Sequence, residues 1–253
     1  MDLRDFDAWL RSLLEIEALA RVDDSLNGVQ VGRSGGPIES VAFAVDASME
    51  TMRRAAEAGA QVLMVHHGLF WGAAARITGS LRERVKFLLD HDLALAACHL
   101  PLDKHPDLGN NAVLARMLGL SGRKPFGLYH GVALGFSGTL EPAISLDEAI
   151  GRVLPDGSRP LSVLPFGPKL IRSAAVVSGG AAMEAFQAVE AGLDLYVTGE
   201  NSHSIYHAAL EAGLNVVAAG HYATEVWGVK ALAERLAADF GVRTFFVDAP
   251  TGL

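Results

Sequence analysis

The sequence predicts an α/β fold of two similar halves, each with a largely parallel sheet. Two observations predict it. First, short runs rich in Val, Ala and Leu alternate with helical patterns: VAFAV (41–45), VLMVH (62–66), LALAAC (93–98), AAVV (174–177), DLYVT (194–198), NVVAA (215–219) and RTFFV (243–247). Uninterrupted apolar runs are what strands need when helices cover both faces of their sheet. Second, AAEAGAQVLMVHHG (55–68) aligns without a gap on AVEAGLDLYVTGEN (188–201), an offset of 133 residues. Such self-similarity marks a repeated supersecondary unit. At that offset VAFAVDAS (41–48) falls on residues 174–181 with one position of slack, and LALAACH (93–99) corresponds to LNVVAAGH (214–221). Each half therefore reads as βαβαβ.

In chain order, MDLRDFDAWLRSLLEIEALA is an amphipathic helix with Phe6, Trp9, Leu10, Leu13 and Leu14 on one face. Its acidic start is unlike that of a signal peptide. Asn27-Gly28, within SLNGVQVG (25–32), reads as a tight turn. The first half then runs to residue 122. Residues 123–168 are rich in Gly and Pro and weakly periodic, which suits a connection carrying an edge strand and one helix, about Leu146 to Val153. The second half, 169–253, ends on the helical pattern YATEVWGVKALAERLAADF and the strand RTFFV.

Composition narrows the function classes. With 253 residues and 50% apolar content, the chain can bury a sizeable core. The net charge of -8, with no run of Lys or Arg, disfavours nucleic acid as main partner. No apolar run approaches the roughly 18 residues of a membrane span. A lone Cys98 suits a reducing compartment, and the cytoplasm is the expected location.

Polar residues concentrate after the second and third strands of each half, where ligands collect in open α/β sheets. In the first half these are His66 and His67, then HLPLDKHPDLGNN (99–111); in the second, TGENSH (198–203), then GHYATE (220–225). His221 and Glu225, four apart where a helix opens, share a face with Cβ atoms roughly 6 Å apart. Adjacent residues on a strand point to opposite sides, so His66 and His67 suit two ions better than one unless the chain turns at Gly68. Asp103 completes a set of five candidate ligands: His66, His67, Asp103, His221 and Glu225. Three imidazoles and two carboxylates able to bridge fit Zn, Fe, Mn or Co better than Ca or Mg. The two halves are then expected to pack around a shared metal site. A lone His at a strand end is ordinarily a hydrogen-bonded rim residue, and it is the similar placement in two related halves that favours ligation. SGGAA (178–182) could present backbone N–H groups to a phosphate but lacks the full glycine spacing of phosphate-binding fingerprints. His91, His130 and His207 read as core or surface.

The chain resembles the dinuclear-metal-centre proteins called GTP cyclohydrolase 1 type 2, or the NIF-three-like family. The resemblance runs nearly end to end through SLNGVQVG, VHHGLFW, HLPLDKHPDLGNN, TGENSHSIYH, GHYATEVWGVKAL and VDAP, and suits the short form without an inserted domain. It implies two metal ions per chain, on the same five ligands, and a homo-oligomer, commonly a hexameric ring. Two positions depart from the family pattern: Tyr222 stands where a second His is frequent, and His203 where an acidic residue is. Neither is one of the five. The activity implied is hydrolysis of GTP or a related nucleotide by a metal-activated water. Because each sits in a polar loop beside the candidate ligands, His99, His105 or Glu200 is expected to move protons. A carrier or regulatory protein that binds metal without turnover is the main rival, and an oligomer whose histidines only hold the fold is a third reading.

Overall fold

The computed structural model describes all 253 residues, and each of the apolar runs is a strand. In chain order the first elements are α1 (Leu3–Leu13), β1 (Gly28–Val31), β2 (Ser40–Asp46), α2 (Met49–Glu57), β3 (Val62–His67), α3 (Gly79–Asp90), β4 (Ala94–Ala97), α4 (Leu100–Lys104) and α5 (Asn110–Leu118). Then come β5 (Ser121–Tyr129), β6 (Val132–Ser145), α6 (Leu146–Val153), β7 (Ser162–Pro165), β8 (Leu170–Val176), α7 (Ala185–Glu190) and β9 (Leu195–Thr198). The chain closes with α8 (Tyr206–Ala212), β10 (Asn215–Ala218), α9 (His221–Phe240) and β11 (Arg243–Phe246). No helix is long and apolar enough to cross a membrane.

One unit comprises Met1–Leu102 and Gly228–Ala249. Its sheet has the order β1-β4-β3-β2-β11, parallel except for β1. Side chains alternate across it and both faces are covered. Val41, Phe43, Val62, Met64, Ala94 and Ala96 pack with Phe6 and Leu10 of α1 and with Val229, Leu232 and Leu236 of α9. Their neighbours Ala42, Ala44, Leu63, Val65, Leu95 and Ala97 pack with Met52 and Ala55 of α2 and Leu88 of α3. That double burial is why these strands read as continuous apolar runs. Helix α1 starts at a capping box in which the Asp2 carboxylate accepts from the Arg4 and Asp5 N–H groups while Asp5 reaches back to the Asp2 N–H.

The other unit comprises Asp103–Trp227 and Pro250–Leu253. Its sheet has the order β5-β6-β8-β9-β10-β7. Strands β8, β9 and β10 are parallel, and β5, β6 and β7 join antiparallel. One core face joins Ala174, Val176, Leu195, Val197 and Val217 to Leu114 and Leu118 of α5 and to Ala149 and Val153 of α6.

The internal repeat is a structural one, with β2-α2-β3-α3-β4 and β8-α7-β9-α8-β10 as its two βαβαβ copies. Individual hydrogen bonds recur at the offset found in the sequence. Ala60 N–H donates to Ala55 O at 3.0 Å, and Leu193 N–H to Ala188 O at 3.1 Å. Gln61 Oε1 accepts from the Glu39 and Ser40 N–H groups, and Asp194 Oδ2 accepts from those of Arg172 and Ser173. In both copies a polar residue just before the second strand fixes the entry to the first.

Three expectations need amendment. Strand β11, read as part of the second half, pairs in parallel with β2 of the first sheet, Thr244 opposite Val41. The 123–168 segment, read as a connection, holds the expected helix but also most of β5 and all of β6 and β7. Its glycines misled the reading because two of them mark close backbone approaches: a Cβ on Gly135 would lie 2.1 Å from Val176 O, and one on Gly138 2.6 Å from Ser121 O. Finally, Asn27-Gly28 is not a hairpin turn; Gly28 opens β1, which pairs with β4 more than sixty residues away.

Candidate functional site

The first unit brings His66, His67 and His99 together at the carboxyl ends of β3 and β4. One ring nitrogen from each lies within 4.8 Å of the others. His66 is fully buried and the other two are half-buried. The rings of His66 and His67 have centroids 4.7 Å apart, although strand alternation would separate them. His67 is the last residue of β3, its pairing with Asp46 being the final rung.

Each ring is held through Nδ1. His66 Nδ1 lies 2.9 Å from the Cys98 carbonyl, His67 Nδ1 2.8 Å from Asp46 Oδ1 and His99 Nδ1 2.9 Å from Asp23 Oδ1. A carbonyl and two carboxylates are acceptors, so Nδ1 is the donor in all three. This is the arrangement in which metal-binding imidazoles are found, with the second nitrogen bonded to an acceptor that fixes the tautomer and raises basicity. The chemistry of the donor set therefore fits a transition-metal ion.

Asp23 anchors the His99 end of this cluster. Its buried carboxylate also accepts from Ser25 N–H, Leu100 N–H and Asn27 Nδ2, and Asn27 Oδ1 in turn accepts from His99 N–H at 2.8 Å. Burial acts to raise the Asp23 pKa, but the bonds from His99, Asn27 and Ser25 outweigh it and hold the group below its ordinary 3.8. Trp71 meets His99 edge-on, with centroids 4.9 Å apart, and its Nε1 donates to Gly68 O.

The second unit holds the carboxylate candidates and His221. His221 opens α9, with Nδ1 2.5 Å from Glu200 Oε1 and Nε2 3.1 Å from Glu225 Oε1. Bonding to Glu225 outweighs the burial that opposes it, and Glu200 adds to the effect, so the pKa rises from 6.5 to about 9. Gly179, in the loop after β8, has φ +65, and a Cβ there would lie 2.2 Å from Glu225 Oε1 and 3.2 Å from His221 Nε2. Its N–H donates to Thr224 Oγ1, and its carbonyl accepts from the Gly199 and Glu200 N–H groups. The SGGAA loop thus packs against the TGE and GHYATE loops, and the Gly179 N–H is engaged within the protein. Asp103 is buried, and its Oδ1 accepts from Asn110 Nδ2 at 2.8 Å and Ser178 Oγ at 3.0 Å.

The residues expected to move protons differ in placement. Glu200 is exposed and bonded to His221. His99 lies in the imidazole cluster of the first unit. His105 accepts from the Asp107 and Leu108 N–H groups through Nδ1, a turn-holding role. His91, His130 and His207 are exposed, and His91 stacks on Phe87. The sequence reading missed Asp23, Asp46, Asn27, Asn111 and Ser178. For Asp46 a signal existed, a carboxylate closing the apolar run VAFAV. The others lie far along the chain from the groups they hold.

A sequence model described as Duf34/NIF3 (NGG1p interacting factor 3) matches residues 1–251. The chain is 43% identical over 253 residues to a "GTP cyclohydrolase 1 type 2 homolog" of Archaeoglobus fulgidus, with 100% of both chains covered. It is 44% identical over 256 residues to a protein of the same name from Halobacterium salinarum, again with 100% of both covered. A crystal structure from Thermus thermophilus matches its fold with a TM-score of 0.89 at 40% identity, covering 100% of each chain. Similarity that runs the length of the chain, through every loop that carries a candidate ligand, places it: the protein belongs to the Duf34/NIF3 family.

Proposed function

We propose that the chain is a dinuclear metal-dependent hydrolase acting on GTP or a related nucleotide. His66 and His67 of the first unit, with Asp103, His221 and Glu225 of the second, are the residues assigned to two transition-metal ions, Zn, Fe or Mn. The observation that carries this reading is the fixed Nδ1 of each candidate imidazole, bonded to a carbonyl or carboxylate. The names of the Archaeoglobus and Halobacterium relatives support a nucleotide substrate. When bound, such ions supply Lewis acidity that polarises a substrate oxygen and lets water ionise near neutral pH.

The protein's own residues have separable tasks. Asp46 and the Cys98 carbonyl orient His67 and His66, and Asn110 and Ser178 orient Asp103. Glu200 holds the Nδ1 proton of His221 and, being exposed, can pass a proton between that site and solvent. His105 is less suited because its Nδ1 already serves two backbone donors. A cytoplasmic homo-oligomer, a hexameric ring as the family resemblance implies, completes the proposal.

Metal content per chain, measured by elemental analysis on protein purified without a metal-binding tag, tests it. Close to two ions per wild-type chain, falling in a folded Glu225→Ala variant, together with GTP hydrolysis that Glu200→Gln slows, is the expected result. Absence of metal after reconstitution with Zn, Mn and Fe overturns the reading. Metal without turnover on a nucleotide panel, exchanging freely with chelators, replaces the hydrolase with a carrier.

A further inference from the structure

Of the three tryptophans, Trp9 and Trp227 pack against hydrophobic cores, whereas Trp71 joins none. It lies in the loop after β3 with 39% of its surface exposed. Its neighbours in the chain have structural tasks. Leu69 and Phe70 pack against the core of the first unit, and a Cβ on Gly68 would lie 2.4 Å from Gln30 Nε2.

Trp71 is held by hydrogen bonds instead of by core packing. Its backbone bridges to Ser25, flanked by bonds from Leu26 N–H to Phe70 O at 3.0 Å and from Gly72 N–H to Asp24 O at 2.6 Å. Leu69 N–H donates to Gln30 Oε1 at 2.7 Å. The ring itself is fixed too: Nε1 donates to Gly68 O at 2.9 Å, and the indole meets the His99 ring with centroids 4.9 Å apart. An aromatic ring already fixed and partly open to solvent loses little freedom when a flat molecule lies on it.

A second observation says which flat molecule. Asp24 is exposed and its carboxylate has no partner within the chain. Its Cγ lies 4.0 Å from the place a Cβ on Gly72 would take, beside the residue that follows Trp71. A lone carboxylate repels phosphate and suits two parallel N–H donors, the complementarity it shows with guanidinium. Guanine offers such a pair in N1–H and its 2-amino group. Adenine sets an acceptor, N1, beside a single amino donor. We propose that the Trp71 indole is the stacking surface for the base of a guanine nucleotide and that Asp24 selects guanine through N1–H and the 2-amino group. Base stacking on an aromatic side chain tolerates any base, so Trp71 sets affinity and Asp24 sets selectivity. The inference rests on the proposed function for its nucleotide substrate and uses none of the metal ligands.

Guanosine, inosine and adenosine titrated into full-length, chelator-treated protein test it, read by tryptophan fluorescence and saturation-transfer NMR. Nucleosides carry no phosphate for a metal to hold. Wild type is expected to bind guanosine about tenfold tighter than adenosine, with inosine, which lacks the 2-amino group, in between. Trp71→Leu should weaken all three by about 5–100-fold, and Trp71→Phe should restore most of the loss. Asp24→Asn should keep Tm and adenosine binding while removing the preference for guanosine. No saturation transfer to guanosine from wild type overturns the inference, and that arm needs no variant to fold. Unchanged nucleoside affinity in Trp71→Leu, or an unchanged guanosine preference in Asp24→Asn, overturns it as well. GTP turnover with the same kcat/KM in Trp71→Leu sinks this inference and leaves the hydrolase standing. Nucleoside binding that depends on Trp71 and Asp24, without turnover of any nucleotide, keeps it and sinks the hydrolase.

Discussion

Removal of the Asp23 carboxylate should loosen the loop that carries His99. Asp23 accepts four hydrogen bonds: Ser25 N–H and His99 Nδ1 at Oδ1, Asn27 Nδ2 and Leu100 N–H at Oδ2, between 2.8 and 3.0 Å. A hydrogen bond to a charged group is worth about 1.5–3 kcal/mol, and a buried donor left without its acceptor costs about 1–3 kcal/mol. The four bonds form one network and do not add, so the cost of Asp23→Ala is set nearer the ~3–5 kcal/mol of a broken buried ionic group. Asp23→Asn keeps the shape, but its amide must face either the Ser25 and His99 pair or the Asn27 and Leu100 pair, donor against donor; about 2–3 kcal/mol is expected. Native-state hydrogen exchange at the Ser25 and Leu100 amides reads this locally, and urea unfolding reads it globally. A loss below about 1 kcal/mol, with both amides as protected as in the wild type, would refute the reasoning. The sign with pH is fixed: the folded pKa of Asp23 lies below its ordinary 3.8, so its stabilisation is present above that value and lost as the pH falls through the folded pKa. Asp23→Asn should flatten that acid limb.

Other outcomes follow from the same geometry. Gly179→Ala combines a positive φ with a Cβ 2.2 Å from Glu225 Oε1, so it should lower stability by about 1–3 kcal/mol and abolish metal binding at Glu225; an unchanged Tm and metal content would contradict this. Asn111 is buried, accepts from Ser178 N–H at 2.6 Å and donates to Leu134 O at 3.0 Å; Asn111→Ala should cost about 2–3 kcal/mol, read by thermal unfolding. In metal-free protein the His221 pKa is raised to about 9. Its stabilisation is therefore complete below 6.5 and lost as the pH rises through about 9. NMR titration should show the raised value in wild type and a lower one in Glu225→Gln. Chelation should lower Tm reversibly, since ion at about 100 times its Kd stabilises by ~2.7 kcal/mol; identical melting with EDTA and with zinc argues against a bound ion.

The α/β class and the paired βαβαβ halves were legible because strand faces and helix faces leave local periodic traces, and because Gln61 and Asp194 perform the same task 133 residues apart. The gathering of polar groups was legible for a related reason: strand ends are where such sheets expose them, and His66, His67, His99 and His221 all stand there. Pairing partners were not legible. Strand β11 follows the second half in the chain yet completes the first sheet beside β2, and β6 hides its strand character behind glycines that neighbouring backbones require. The groups that orient the imidazoles were equally hidden. Asp23 and Asn27 precede His99 by more than seventy residues, and no periodicity marks a carboxylate whose role depends on which loop closes over it. Local pattern records which face of an element is buried; which distant element buries it, and which buried donor meets which acceptor, is settled only when the whole chain has packed.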